Sequence, residues 1–365
     1  MRRYVRGLAL AAGALAFSLA GWLLASAVQS QPAVKAAVVR SQGHPAVHRP
    51  GLSALDRGGR IQEHLCPGHG QQPGGGAVVA CPVSVTTTSL PDAMLGTRYS
   101  VPMLAVSGGV PPYDWSVSAR WLPPGLSLSP VGVISGSPLL AGTFDFTVQA
   151  ADSAGATATA SLSINVGGCA TNITGSRSRP LTIGPGVTCL DQATISGPVK
   201  IPAGAVVSIQ ASTLGGPLSA DSPARLAVCG STISGPASVT GASGPVLLGG
   251  ANGTPCTADT VTGLVTLTGD AGGVTLGGAT ISGPAHVAGN GGRVTVSGNT
   301  IGGPASITGN TGATLVAGNS VNGALSCSGN NLAPTDGGKS NTSNGPATGQ
   351  CSGLTGRLLP VRPNH

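Results

Sequence analysis

The sequence predicts an all-β protein in two parts, an antiparallel β-sandwich followed by a parallel β-solenoid of about eight coils with a period near 20 residues. Three observations carry that prediction. A phrase of the form Thr-Ile-Ser-Gly-Pro stands at Thr194–Pro198, Thr232–Pro236 and Thr280–Pro284, with near copies starting at Thr213, Thr260, Thr300 and Ser320. The steps between starts are 19, 19, 28, 20, 20 and 20 residues, and a fixed period of that size marks stacked repeats. Residues 83–166 show short alternating runs instead, such as VSVTTT, FDFTVQA and ATASLSINV, separated by Gly- and Pro-rich turns, which is the pattern of a sandwich. The 365 residues also include 60 Gly and 29 Pro, with 8% charged and 40% apolar residues. That mixture suits short strands joined by tight turns.

Residues 1–30 read as an export signal. Arg2, Arg3 and Arg6 precede the apolar run Leu8–Ala25, and Ala25-Ser26-Ala27 offers a small-x-small cleavage pattern. The run nearly reaches membrane-spanning length, so an uncleaved N-terminal anchor is the alternative and the single expected route to a membrane. Either way the chain is expected outside the cytoplasm, secreted or in the cell envelope. Residues 31–82 carry no sustained apolar period and read as a low-complexity linker, and residues 355–365 as a flexible tail. Within the linker, His64, Cys66 and His69 are metal-ligand types, but Cys66 has a disulfide partner available in Cys81 and no metal is expected there.

The formal charge of +7 arises largely before residue 61. Residues 168–330 carry Arg177, Arg179, Lys200, Arg225 and Arg293 against Asp191, Asp221, Asp259 and Asp270. So even a balance gives no electrostatic footprint for nucleic acid, and no nucleic-acid partner is expected.

All six aromatics after the export segment fall in the sandwich: Tyr99, Tyr113, Trp115, Trp121, Phe144 and Phe146. Large rings are what a domain of this size needs to fill the space between two sheets. Pro123-Pro124-Gly125 and Gly132 set turns, while Leu126, Leu128, Val133 and Ile134 are expected at buried strand positions. The stretches Gly108–Ser118, Leu122–Pro138 and Ala141–Val166 resemble the bacterial putative-Ig (cadherin-like) module, and the resemblance spans residues 83–166. It implies an Ig-like spacer or adhesion module with no catalytic residues. Some cadherin-like relatives bind Ca²⁺ through clustered acids, for which Asp92, Asp114, Asp145 and Asp152 are the residues available, Asp114, Asp145 and Asp152 being the candidates. Asp152 before Ser153 and Gly155 is equally read as a hairpin turn in which Asp bonds its own backbone. No other cofactor is expected.

The solenoid, residues 168–354, becomes readable when its units are aligned. Their second position is always aliphatic (Ile195, Leu214, Ile233, Val261, Ile281, Ile301 and Val321), forming a core ladder. The eighth is mostly apolar (Ile201, Val239, Leu267, Val287, Ile307), and a further strand alternates as Val246/Leu248, Val274/Leu276 and Val294/Val296. Period-two alternation means strands with one face in and one out. Two or three such strands, cornered by Gly and Pro, make one coil, and a coil that cannot bury its own apolar face depends on its neighbours.

Eight cysteines in an exported chain suggest four disulfides, with spacing that favours Cys66–Cys81, Cys169–Cys189, Cys229–Cys256 and Cys327–Cys351. Cys256 lies in the insertion NGTPCTAD that accounts for the 28-residue step, Cys327 takes the apolar eighth position, and Cys189 is expected to replace an inward residue of the first coil.

Many β-helices are polysaccharide lyases or hydrolases, which need acids gathered on one face. Here Asp191, Asp221, Asp259 and Asp270 are spread over several coils, His286 has no evident acidic partner, and no aromatic follows Phe146 to serve as a platform for sugar rings. A carbohydrate-active enzyme is therefore the weaker alternative. Thr recurs at the first position of the unit, as in flat Thr arrays that bind ice or a repetitive polymer, although Thr is also simply a good solvent-facing strand residue. The prediction is a non-enzymatic structural or adhesion protein with an unidentified surface ligand, protein or polysaccharide. A Ca²⁺-binding cadherin-like adhesion module is the first alternative.

Overall fold

A computed structural model describes residues 81–250 and 255–356. The export segment, the His64–Cys66–His69 stretch, Cys66 of the Cys66–Cys81 pair and residues 357–365 lie outside the described residues. Every regular element of the described residues is a strand.

The N-terminal module is an Ig-like sandwich. Its larger sheet orders Ala93–Met94, Thr157–Gly167, Gly142–Ala151 and Asp114–Arg120, and its smaller one Tyr99–Ser100, Ile134–Gly136 and Leu126–Leu128. The long hairpin pairs Gly142–Ala151 antiparallel with Thr157–Gly167. Alternation in FDFTVQA sends Phe146, Val148 and Ala150 inward, where they meet Trp115, Ile134, Leu162 and Ile164. Gly132 adopts φ +86° beside the indole, and a Cβ there would stand 2.8 Å from Trp115 Nε1, so glycine is needed on both counts. The aromatic expectation fails at one place: Trp121 is 48% exposed. Leu126, Leu128 and Val133 are half-buried, with only Ile134 of that group fully enclosed.

The C-terminal module is a three-sided parallel β-solenoid. On the long face Val206–Gln210 pairs with Arg225–Cys229, and the ladder continues through Val246–Leu248, Val274–Gly277 and Val294–Ser297 to Thr314–Ala317. A short face stacks two-residue strands, from Thr213–Leu214 to Thr342–Ser343. The third face is a nine-stranded sheet from Leu181–Thr182 to Ala347–Gly349. The solenoid thus has about nine coils rather than eight, because its first and last coils lack a recognisable Thr-Ile-Ser-Gly-Pro phrase. At the parallel-strand spacing the stack is about 40 Å long.

The repeat phrase has a physical reading in this stack. Its Ile closes the interior, with Ile195, Leu214, Ile233, Val261, Ile281, Ile301 and Val321 in register and 0–2% exposed. Its Gly lies against the Pro corner of the preceding coil: a Cβ on Gly303 would stand 2.8 Å from Pro284 N, and one on Gly323 2.7 Å from Pro304 N. Each full burial of such an aliphatic side chain contributes roughly 2–3 kcal/mol.

The sandwich packs on the outer side of the long face. Leu139 and Leu140 are buried against Ala227, Cys229 and Leu247, and Val187 and Val206 join the sandwich's own core. Gln210 Nε2 donates to Ala141 O at 2.9 Å. Cys189 pairs in register with Ser208, at an outward position, and packs with the sandwich core. The inward placement expected for it is therefore wrong: in β-strands neighbours alternate, and it is Leu190 that points inside, in the solenoid core.

Candidate interaction surfaces

Two corners of the solenoid are closed by buried side-chain ladders. In one, Asn290 Nδ2 donates to Asn310 Oδ1 at 2.9 Å, Asn310 Nδ2 to Asn330 Oδ1 at 2.9 Å, and Asn330 Nδ2 to Gln350 Oε1 at 2.9 Å. Each of these amides also donates to a strand carbonyl, as Asn290 does to Leu267 O at 3.2 Å. In the other, Asn299 Nδ2 donates to Asn319 Oδ1, and Asn319 Nδ2 to Asn341 Oδ1. An amide suits such a column because it both donates and accepts, so each Asn-bearing coil satisfies the next.

Asp270 occupies the first column one coil before Asn290, and Asp259 the second column two coils before Asn299, with Ala279 between them. Asp270 Oδ1 accepts from Ala242 N–H at 2.7 Å and Asp259 Oδ1 from Ser231 N–H at 2.7 Å. Both residues are 0% exposed, and Oδ2 of each has no partner. Burial pushes the Asp259 carboxyl up to about 7 and that of Asp270 to about 6, against a smaller opposing effect from the backbone N–H groups they face. Protonation would give Oδ2 the donor that an asparagine amide supplies elsewhere in the column. These two acids belong to the scaffold, a role that their scatter in the sequence concealed. Asp191 and Asp221 are exposed on different faces, and His286 is exposed in register with Thr266 and Ser306 on the third face.

The outer surface is ordered. Thr194, Thr213, Thr232, Thr260, Thr280, Thr300, Ser320 and Thr342 pair from coil to coil on the short face, an unbroken column of outward hydroxyls. The third face adds Ser219, Ser238, Thr266, Ser306, Ser326 and Thr348, interrupted by His286.

The acidic candidates of the sandwich go to separate tasks. Asp152 Oδ2 accepts from Val110 N–H at 2.9 Å, and Oδ1 from Ala154 and Ala156 N–H at 3.0 and 2.7 Å. Those hydrogen bonds, that from Val110 first, hold its carboxyl below the usual range. Asp145 pairs with Arg120 at 3.6 Å on the surface, and Asp114 is exposed at the start of its strand. Among the described residues, no group of three or more His, Cys, Asp or Glu comes together.

Among the described residues, disulfides join Cys169 to Cys189, Cys229 to Cys256 and Cys327 to Cys351, with Cα–Cα distances of 5.7, 5.2 and 5.1 Å. The first closes the start of the solenoid beneath the sandwich. The second ties the insertion to the long face, and the third lies in the solenoid core at its far end.

An Ig-like sandwich seated on a disulfide-bonded β-solenoid defines the class: a two-module, all-β protein whose architecture fits a structural or adhesive role. Residues 82–167 match the family model described as a putative Ig domain. No curated protein matches the chain. Two solved structures from Bacteroides fragilis, a putative alpha-galactosidase/melibiase and a putative alpha-galactosidase, align at 21% and 22% identity, both with a TM-score of 0.21. The alignments cover 31% and 32% of this chain and 28% and 29% of theirs, so the chain spans less than a third of either. A likeness that slight assigns it no activity.

Proposed function

We propose that the chain acts outside the cytoplasm as a non-enzymatic spacer and adhesion protein, with the hydroxyl columns of the solenoid as its contact surface for a protein or polysaccharide. The observation that carries this reading is the unbroken coil-to-coil register of the outward Thr column from Thr194 to Thr342. A surface repeating at strand spacing suits an extended or repetitive ligand better than a compact one. Two further features support it. The disulfides suit an oxidising compartment. The carboxylates of the solenoid are divided between buried corner ladders and separate outer faces, which is not the paired arrangement that glycoside chemistry uses. The reading requires no cofactor.

The test pairs location with contact. An epitope-tagged chain expressed in its own host should be digested by protease added to intact cells. Purified protein should sediment with isolated envelope material, and Thr280→Lys with Thr300→Lys should abolish that sedimentation while leaving the melting temperature unchanged. Protection of the tagged chain inside the cell, or unchanged sedimentation of the double variant, would overturn the proposal.

A further inference from the structure

We infer that the joint between the two modules is a binding site for an acidic polysaccharide, with Arg98 and Arg225 holding its carboxylates and Trp121 stacking on a sugar ring. The site is distinct from the hydroxyl columns and does not depend on them.

The joint encloses a cleft of about 610 Å³, lined from the sandwich by Arg98, Gly125 and Ser135–Ser137 and from the solenoid by Arg225 and Pro245. Neither arginine has an acidic partner: the one ion pair among the described residues is Arg120 with Asp145. Two unpaired guanidinium groups lining one cleft from opposite modules create a local positive field in a solenoid that is otherwise close to neutral. Guanidinium is the side chain best matched to bidentate carboxylate recognition.

Arg225 is held in place by what surrounds its stem. A Cβ on Gly96 of the sandwich would lie 3.5 Å from Arg225 Cδ, and one on Gly244 of the next coil 3.1 Å from its Cγ. Glycine on both sides leaves a slot through which the methylenes pass, so the half-buried side chain loses less freedom on binding. The slot exists only because the modules are docked.

The second half of the site adjoins the first. A hollow of about 240 Å³ is lined by Val117, Trp121, Leu122, Pro123 and Pro124, and Gly125 lines both it and the arginine cleft. Trp121 is the one tryptophan of the sandwich not used in its core, being 48% exposed where Trp115 is 5% exposed. A flat apolar ring in a hollow adjoining a cleft lined by two guanidinium groups, Ser135 and Ser137 matches a uronic-acid chain, whose sugars present an apolar ring face and a carboxylate together. A peptide rich in Glu would meet the arginines but offers no ring for Trp121.

Titration of the full chain with a galacturonic-acid oligomer, followed by tryptophan fluorescence and calorimetry, tests the assignment. The expected result is saturable binding that weakens with added salt. Arg98→Ala and Arg225→Ala should each lower affinity about tenfold, the loss of one charge-assisted contact. Trp121→Phe should abolish the fluorescence change, and neutral oligosaccharide should not bind. Arg98 is exposed, so its variant reads binding without loss of fold; melting curves check the others. No binding by the wild type, equal binding by the Arg98→Ala and Arg225→Ala double variant, or equal binding of a poly-Glu peptide would each overturn the proposal.

Discussion

Replacing Asp259 or Asp270 by asparagine should stabilise the solenoid at alkaline pH and do little at acid pH. Each Asp occupies a ladder column in which an amide both accepts and donates, but its Oδ2 has no partner. By the register that pairs Val239 with Leu267, an amide at position 270 would donate to Val239 O and to Asn290 Oδ1, as Asn290 does to Leu267 O and Asn310 Oδ1. Folding raises both carboxyls above their ordinary value of 3.8, to about 7 at Asp259 and about 6 at Asp270. The sign follows from the folded state binding protons more tightly than the unfolded one. The protonated form's contribution is fully present below about pH 4 and is lost as pH rises through 6 and 7. For Asp259, about three pH units at ~1.36 kcal/mol each give a loss of about 4 kcal/mol by pH 8. For Asp270 the same conversion gives about 3 kcal/mol as a ceiling. Denaturant midpoints at pH 5 and pH 8.5 read the effect directly. Wild type should weaken between these values, and the double Asp→Asn variant should hold its midpoint. Equal pH dependence in wild type and double variant would refute the argument that these carboxyls stand uncompensated in the ladder.

Three other perturbations probe the same framework. Asn310→Ala removes the acceptor for both the backbone N–H and the Nδ2 of Asn290, and should cost about 3 kcal/mol with faster hydrogen exchange in the coils on either side. Ile281→Asp places a charge at a ladder site 1% exposed and should open neighbouring coils as well as its own; wild-type protease resistance would contradict the register. Cys229→Ser with Cys256→Ser frees the insertion from a contact that Leu139 and Leu140 share, so stability should fall by about 2–4 kcal/mol and a protease site should open near residue 255.

The solenoid could be read from the chain because its signal is periodic and apolar. Seven aliphatic residues at one position of the unit allow one arrangement, a stacked interior, and the three sides follow from where Gly and Pro interrupt the strands. The ladders were equally periodic but polar. In the aligned units Asp270, Asn290, Asn310 and Asn330 fall in one column, and Asp259, Asn299 and Asn319 in another that Ala279 interrupts. Considered singly, these Asp residues invite a search for chemistry; taken with their columns, they are corner residues in which one oxygen has replaced an amide nitrogen. Recurrence alone does not separate these columns from the outward Thr column; burial shows in the amide hydrogen bonds that link one coil to the next. Trp121 shows the converse limit. Its composition placed it in a core, yet a two-sheet module of this size encloses Trp115 and Phe146 and leaves the ring after Arg120 outside.

The joint between the modules is the least visible feature, yet it too leaves a mark in the strands. A solenoid face exposed to water alternates, as VTLG and VTVS do, with Thr275 and Thr295 half-exposed between inward valines and leucines. The earlier strands of the same face lose that alternation. In RLAVC, Ala227 is 1% exposed between Leu226 and Val228, and in VLL, Leu247 is 4% exposed between Val246 and Leu248. A strand apolar on both sides is covered on both sides, so the edge of the partner lies between Leu248 and Val274. Leu139 and Leu140, adjacent apolar residues at a loop of the sandwich, are the complementary excess. The sandwich therefore sits at one end of the solenoid and covers about four coils of one side. The Thr column and the third face lie on the sides it leaves uncovered.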